Sequence, residues 1–151
     1  MRVETNVKGS SEAIDTLNKL LRGEISAVET YGQALERLSK SSFVADLAEC
    51  RRSHEERAEL LRQQVVRLGG EPAESSGPWG GFAKLIEGGA KLFGEKAALS
   101  ALEEGEDHGL KLYRNEQSKL DPTTREIVER SLLPAQERTH QVLSTLKHNF
   151  H

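Results

Sequence analysis

Residues 23–31 read GEISAVETY and residues 105–114 read GEDHGLKLYR. Each stretch sets a glutamate seven residues ahead of a tyrosine, Glu24 before Tyr31 and Glu106 before Tyr113. Seven residues are two helical turns, so each pair lies on one helical face. Around the first pair, Ile14, Leu17, Leu21, Val28, Leu35 and Leu38 recur at three- and four-residue steps or their multiples. Around the second, the seam runs through Leu99, Leu102, Leu110, Gln117 and Leu120. Both stretches are amphipathic helices with a carboxylate in mid-seam. Such a carboxylate costs free energy unless it is paired or bound.

Working outward, Ser10 or Ser11 is expected to cap helix 1. This leaves residues 1–9 as a flexible polar N-terminus and 10–149 as a single domain. Lys40-Ser41-Ser42 breaks the chain briefly, so helix 2, from about Phe43 to Leu68, returns as an antiparallel neighbour. Its seam is Leu47, Cys50, His54, Arg57, Leu61, Gln64 or Val65, and Leu68, again polar in the middle. Gly69-Gly70 ends it. Residues 71–94 read as a long connection holding a short, weakly amphipathic helix from Trp79 to Phe93. Helix 3 follows to Leu120. Asp121-Pro122 then reads as an N-cap and first helical position for helix 4, which reaches about Lys147. Pro134 inside that helix predicts a kink or bulge just before Glu137.

The bulk numbers fit one helical domain of 151 residues, with 36% apolar and 5% aromatic content. A net charge of −3 and the lack of a basic tail argue against nucleic-acid binding. The single cysteine, Cys50, excludes an internal disulfide and fits a reducing compartment. There is no apolar run long enough to span a bilayer and no N-terminal signal pattern, so the expected location is cytoplasmic.

The chain therefore looks like two copies of one helical hairpin. Helix 4 carries Glu137-x-x-His140, a carboxylate and an imidazole one turn apart on one face. Converging on one point, such groups hold transition metals. The repeat aligns them with His54 and Arg57. Glu24 and Arg57 lie about equally far from the Lys40-Ser41 turn, as do Glu106 and Glu137 from Asp121-Pro122. All four polar clusters are thus expected at mid-bundle height.

This constellation resembles the ferritin-like family, the group of bacterioferritin and rubrerythrin. Its template is one Glu from each of two helices and Glu-x-x-His from each of the other two, around two metal ions. The stretch RLGGEP (67–72) is similar to a bacterial branch of small ferritin-like proteins. The resemblance implies an all-α, antiparallel four-helix bundle with a long crossover between helices 2 and 3. Glu24 and Glu106 correspond to the single glutamates, and Glu137 and His140 match one Glu-x-x-His.

Helix 2 departs from the template, with His54 and Arg57 in place of Glu and His. Arginine stays protonated and does not normally ligate a metal. Arg57 is therefore expected to form a structural ion pair with Glu24 where the second metal is lost. The remaining position would be a mononuclear site of Glu106, Glu137, His140 and His54, holding one Fe, Mn or Zn ion per chain. Tyr31 and Tyr113 would support it by hydrogen bonds. Two functions follow. One is a metal-binding protein with weak oxidase- or peroxidase-like chemistry. The other is a metal-free, non-catalytic bundle whose polar band sets helix register, acting through self-association or partner binding. The expected assembly is a homo-oligomer, a dimer first, and whether the protein is an enzyme stays open.

Overall fold

The computed structural model describes residues 2–77 and 94–150. Helix α1 spans Arg2–Arg37, α2 Val44–Arg67 and α3 Glu95–Glu116. A 3-10 turn, Gln117–Lys119, leads to a fourth rod made of α4 (Pro122–Ile127), a π-turn (Val128–Leu132) and α5 (Leu133–Asn149). No strand occurs among the described residues. The chain is all-α. The Trp79–Phe93 helix expected from the sequence lies outside the described residues.

Local chemistry accounts for the boundaries. α2 closes with a Schellman motif, in which the N–H of Gly70 reaches the Val65 carbonyl and that of Gly69 the Val66 carbonyl, both at 2.9 Å. Gly69 has φ +84°, the left-handed conformation that disfavours any side chain. The fourth rod begins as expected, with Asp121 accepting from the Thr124 N–H and Pro122 in the first turn. Helix α1 departs from expectation. It begins at Arg2, so Ser10 and Ser11 lie inside it rather than capping it. No proline interrupts residues 2–11, and extending a formed helix needs only one further hydrogen bond per residue.

The seams on α1, α2 and α3 are buried largely as the periodicity predicts. Two apolar clusters result, one at each end of the molecule. Leu38, Leu47, Leu99 and Leu143 belong to one, and Leu17, Leu61, Val128 and Leu132 to the other. Between them lies a band of buried polar side chains: Glu24, His54, Arg57, Glu106, Gln136 and Thr139.

Pairings between helices run in a consistent order. On α1, Lys19 meets Glu116 at 2.6 Å, Tyr31 meets Glu106 at 2.5 Å, and Ser41 just beyond it meets Glu95 at 2.5 Å. On α2, Arg67 meets Asp121 at 2.8 Å and Arg57 meets Thr139 at 3.0 Å. In each pair of helices, numbers fall along one as they rise along the other.

The π-turn sets the register of the fourth rod. Leu120, Thr124, Val128, Leu132 and Gln136 are all buried, at steps of four. A regular helix, at 3.6 residues per turn, drifts off such a stripe. One wider turn absorbs the excess. It sits directly ahead of Pro134, which has no N–H for the preceding turn and whose ring crowds the carbonyl four residues back.

We expect Gly69→Ala to lower stability by about 1 kcal/mol, because the strain of a left-handed alanine outweighs its smaller unfolded-state entropy. Urea unfolding should show a lower midpoint with an unchanged slope.

Candidate functional site

The polar band is organised around His54, which is 2% exposed. Its Nδ1 lies 2.5 Å from Glu24 Oε1 and its Nε2 lies 2.7 Å from Glu106 Oε2. Both ring nitrogens thus face carboxylates. A neutral imidazole has only one N–H, so one carboxylate would face a lone pair. The geometry selects the imidazolium. Burial pulls the imidazole pKa down, but Glu106 and Glu24 outweigh it and the net shift is upward. For each glutamate, burial pushes the pKa up. The neighbouring cations, Arg57 and His54 at Glu24 and His54 first at Glu106, reverse this and hold both below the ordinary carboxylate value.

Arg57 completes the charge balance. Its Nη1 lies 3.6 Å from Glu24 Oε2 and donates to Gln136 Oε1, while Nη2 donates to Thr139 Oγ1 at 3.0 Å. Gln136 Nε2 donates to Glu106 Oε1 at 2.9 Å and to the Glu106 carbonyl at 2.7 Å. Thr139 Oγ1 lies 2.7 Å from Glu106 Oε1. Two carboxylates, one imidazolium and one guanidinium, all buried, sum to zero charge. Balance of this kind is what makes burying them tolerable.

The tyrosines close the network by reaching across it. Tyr31, on α1, donates to Glu106 of α3, and Tyr113, on α3, donates to Glu24 of α1. The two-turn spacing seen in both helices therefore has a reciprocal meaning, since each helix supplies an acceptor and the donor for its partner's acceptor. Tyr31 also stacks on His54, with ring centroids 5.3 Å apart. Cys50, one turn from His54, is a buried free thiol whose pKa is pushed up to about 12 by burial first and then by Glu106.

The fourth rod corrects the expected ligand set. Glu24, His54, Arg57, Glu106, Tyr31 and Tyr113 come together, but Glu137 and His140 do not join them. The Glu137 side chain is 52% exposed and lies 3.7 Å from Arg114. His140 sits 3.6 Å from Asp107, near the surface. Gln136 and Thr139, one residue earlier at the same spacing, take the inward positions. The sequence holds a signal for this. The stripe Leu132, Gln136, Thr139, Leu143 begins and ends apolar, whereas Leu133, Glu137, His140, Ser144 ends on a serine. Gly109 lets the rods approach, because a Cβ there would stand 2.6 Å from Gln136 Nε2.

These residues do not fit the metal pair of the ferritin-like template. The two Glu-x-x-His positions hold His-x-x-Arg and Gln-x-x-Thr. A permanent guanidinium lies among the acceptors, and both nitrogens of the one imidazole are committed to the two carboxylates. Metal binding would require stripping a proton from His54 and breaking at least one of these bonds. Among the described residues, no group of three or more His, Cys, Asp or Glu side chains is arranged to hold a metal ion.

Comparison with known proteins gives a family without an assigned activity. Residues 12–117, well over half of the chain, match the family described as "Domain of unknown function (DUF2383)", and the chain belongs to it. The chain matches no curated protein and no solved structure. The family match contains Glu24, Tyr31, His54, Arg57, Glu106 and Tyr113 and ends before Gln136 and Thr139.

The pH dependence of stability follows from the band. His54 binds its proton more tightly folded than unfolded. Its contribution is complete below the ordinary value of 6.5 and is lost as pH rises through the raised folded value. The glutamates contribute fully above their ordinary 4.5 and lose this as pH falls through their lowered folded values. Urea midpoints measured from about pH 4 to 9 should therefore peak in the mildly acidic range and decline toward alkali, below the range in which the tyrosines titrate. In His54→Gln the alkaline decline should disappear.

Proposed function

We propose that this chain is an antiparallel ferritin-like bundle in which a fixed, charge-neutral network stands where the family's metal centre would be. It acts as a non-catalytic helical module through its surface, by self-association or by binding a partner. The observation that carries this reading is His54 spanning Glu24 and Glu106, with Arg57 beside them. The order of the helix pairings supports the antiparallel arrangement. It also supports a crossover, because α2 ends beside Asp121 whereas α3 begins beside Ser41, at the other end of the bundle. Residues 68–94 would make that crossing, and a chain of this length reaches far more than the length of α2. No helix among the described residues is long and apolar enough to cross a membrane. The buried free thiol of Cys50 suits a reducing compartment such as the cytoplasm.

In such a bundle the polar band acts as a register device. The charged groups meet one another only when α1, α2 and α3 stand at one height, and Arg57 and Glu106 keep all their hydrogen bonds only when the fourth rod does too. A one-turn slip of α1, α2 or α3, about 5.4 Å, strands a charge in the interior, and a slip of the fourth rod strips Arg57 and Glu106 of hydrogen bonds. Apolar seams alone discriminate less sharply, since one leucine replaces another after a slip. Buried polar groups have this specifying role in coiled coils.

Two measurements test the reading. Protein purified without chelator should carry no stoichiometric metal, and Fe(II), Mn(II) or Zn(II) should leave its melting temperature unchanged. One ion per chain with a melting shift of several degrees, lost in Glu106→Gln, would sink the proposal. Arg57→Met should cost about 3–5 kcal/mol in urea unfolding, the usual penalty for removing one partner of a buried ion pair.

A further inference from the structure

A groove of ≈ 310 Å³ lies between α2 and the fourth rod, beside the π-turn. Three guanidinium side chains line it, those of Arg57, Arg130 and Arg138, together with Ser53, Ser131 and one carboxylate, Glu56. In a chain of net charge −3, a concave surface with three arginines against one glutamate stands apart from the rest.

The arginines differ in availability. Arg57 is buried and engaged with Gln136, Thr139 and Glu24, so its charge is balanced within the band and the arginines left to meet an anion are Arg130 and Arg138. Arg130 is 79% exposed and, among the described residues, pairs only with Glu126, 3.2 Å away and itself exposed. Exposed pairs of this spacing are weak and yield readily to a better acceptor. Arg138 is exposed and has no hydrogen-bond or ion-pair partner among the described residues. Arg130 and Arg138 are eight residues apart, a spacing that drifts by most of a quarter-turn in a regular helix. The π-turn spans Val128–Leu132, and its second half, between Arg130 and Arg138, reduces this drift; both residues line one groove. Such turns frequently mark functional positions.

We propose that this groove binds a phosphate-class oxyanion, either free phosphate or the phosphate end of a small monoester. Planar guanidiniums give two parallel hydrogen bonds to phosphate oxygens, and two exposed forks in one groove can share a tetrahedral anion. The serine hydroxyls supply further donors. The volume is at the small end of sites that hold small molecules, which suits a compact anion better than a helix or a protein surface. Glu56 opposes a bare anion.

Calorimetric titration of the purified protein tests this, with sodium phosphate and glycerol 3-phosphate as probes and sodium chloride and acetate as controls at matched ionic strength. Phosphate-class probes should bind saturably, one per chain. Arg130→Gln with Arg138→Gln should weaken binding at least tenfold without changing the melting curve, since both side chains are exposed. Glu56→Gln should tighten the binding of phosphate, and Arg62→Gln, outside the groove, should leave it unchanged. Tighter binding of glycerol 3-phosphate than phosphate identifies a monoester, and the reverse order identifies the free anion. A response no larger than that to chloride, or unchanged affinity in the double arginine variant, overturns the proposal.

Discussion

One imidazole ring holding two buried carboxylates is the constraint on which the rest of this bundle depends. Each buried charge costs several kcal/mol in desolvation, and only close, fully bonded partners offset that cost. His54 meets both glutamates at once because its two ring nitrogens point in opposite directions, Nδ1 to Glu24 on α1 and Nε2 to Glu106 on α3. Arg57, one turn further along α2, then neutralises the remaining charge and reaches the fourth rod. The apolar clusters above and below supply the bulk of the burial. The band between them holds the charged groups that pair across α1, α2 and α3.

Much of this was legible in the residues. The seams of α1, α2 and α3 follow from leucine spacing, and the placement of Glu24, His54, Arg57 and Glu106 in those seams marks them as partners. The two-turn Glu–Tyr spacing was visible, but its crossed use was not, because Tyr31 serves Glu106 and Tyr113 serves Glu24 only once the helices are side by side. On the fourth rod the inward face lies one residue away from the metal-like motif, at Gln136 and Thr139. Two interlaced stripes compete there, and the one containing Glu-x-x-His attracts attention because it matches a metal motif. A proline and a π-turn lie just upstream, so counting regular turns from Asp121 does not settle the face. The terminal apolar residue, Leu143 against Ser144, is the better guide because burial acts on the whole stripe.

The extent of the family match fits the chemistry of the band. All four charged members, Glu24, His54, Arg57 and Glu106, lie within residues 12–117. The contributions from the fourth rod, Gln136 and Thr139, are neutral. Charge balance is therefore closed by the first three helices alone, and the fourth supplies hydrogen bonds that orient Arg57 and Glu106. Removing a neutral donor leaves one polar group unsatisfied, whereas removing a charged member leaves its partner's charge uncompensated. The matched stretch thus contains the part of the network least able to tolerate piecemeal change.

The π-turn links this interior to the surface. The same wide turn that brings Gln136 and Thr139 inward brings Arg130 and Arg138 to the wall of the neighbouring groove. Arg57 belongs to both places, bonded to the network through its guanidinium and forming part of the groove floor. An anion held there would draw on the same positive charge that Glu24 uses. Because Glu24 is also bonded to His54 and Tyr113, a change in the field at Arg57 reaches every member of the band through direct contacts. The bundle interior and the arginine groove are therefore electrostatically coupled through one side chain.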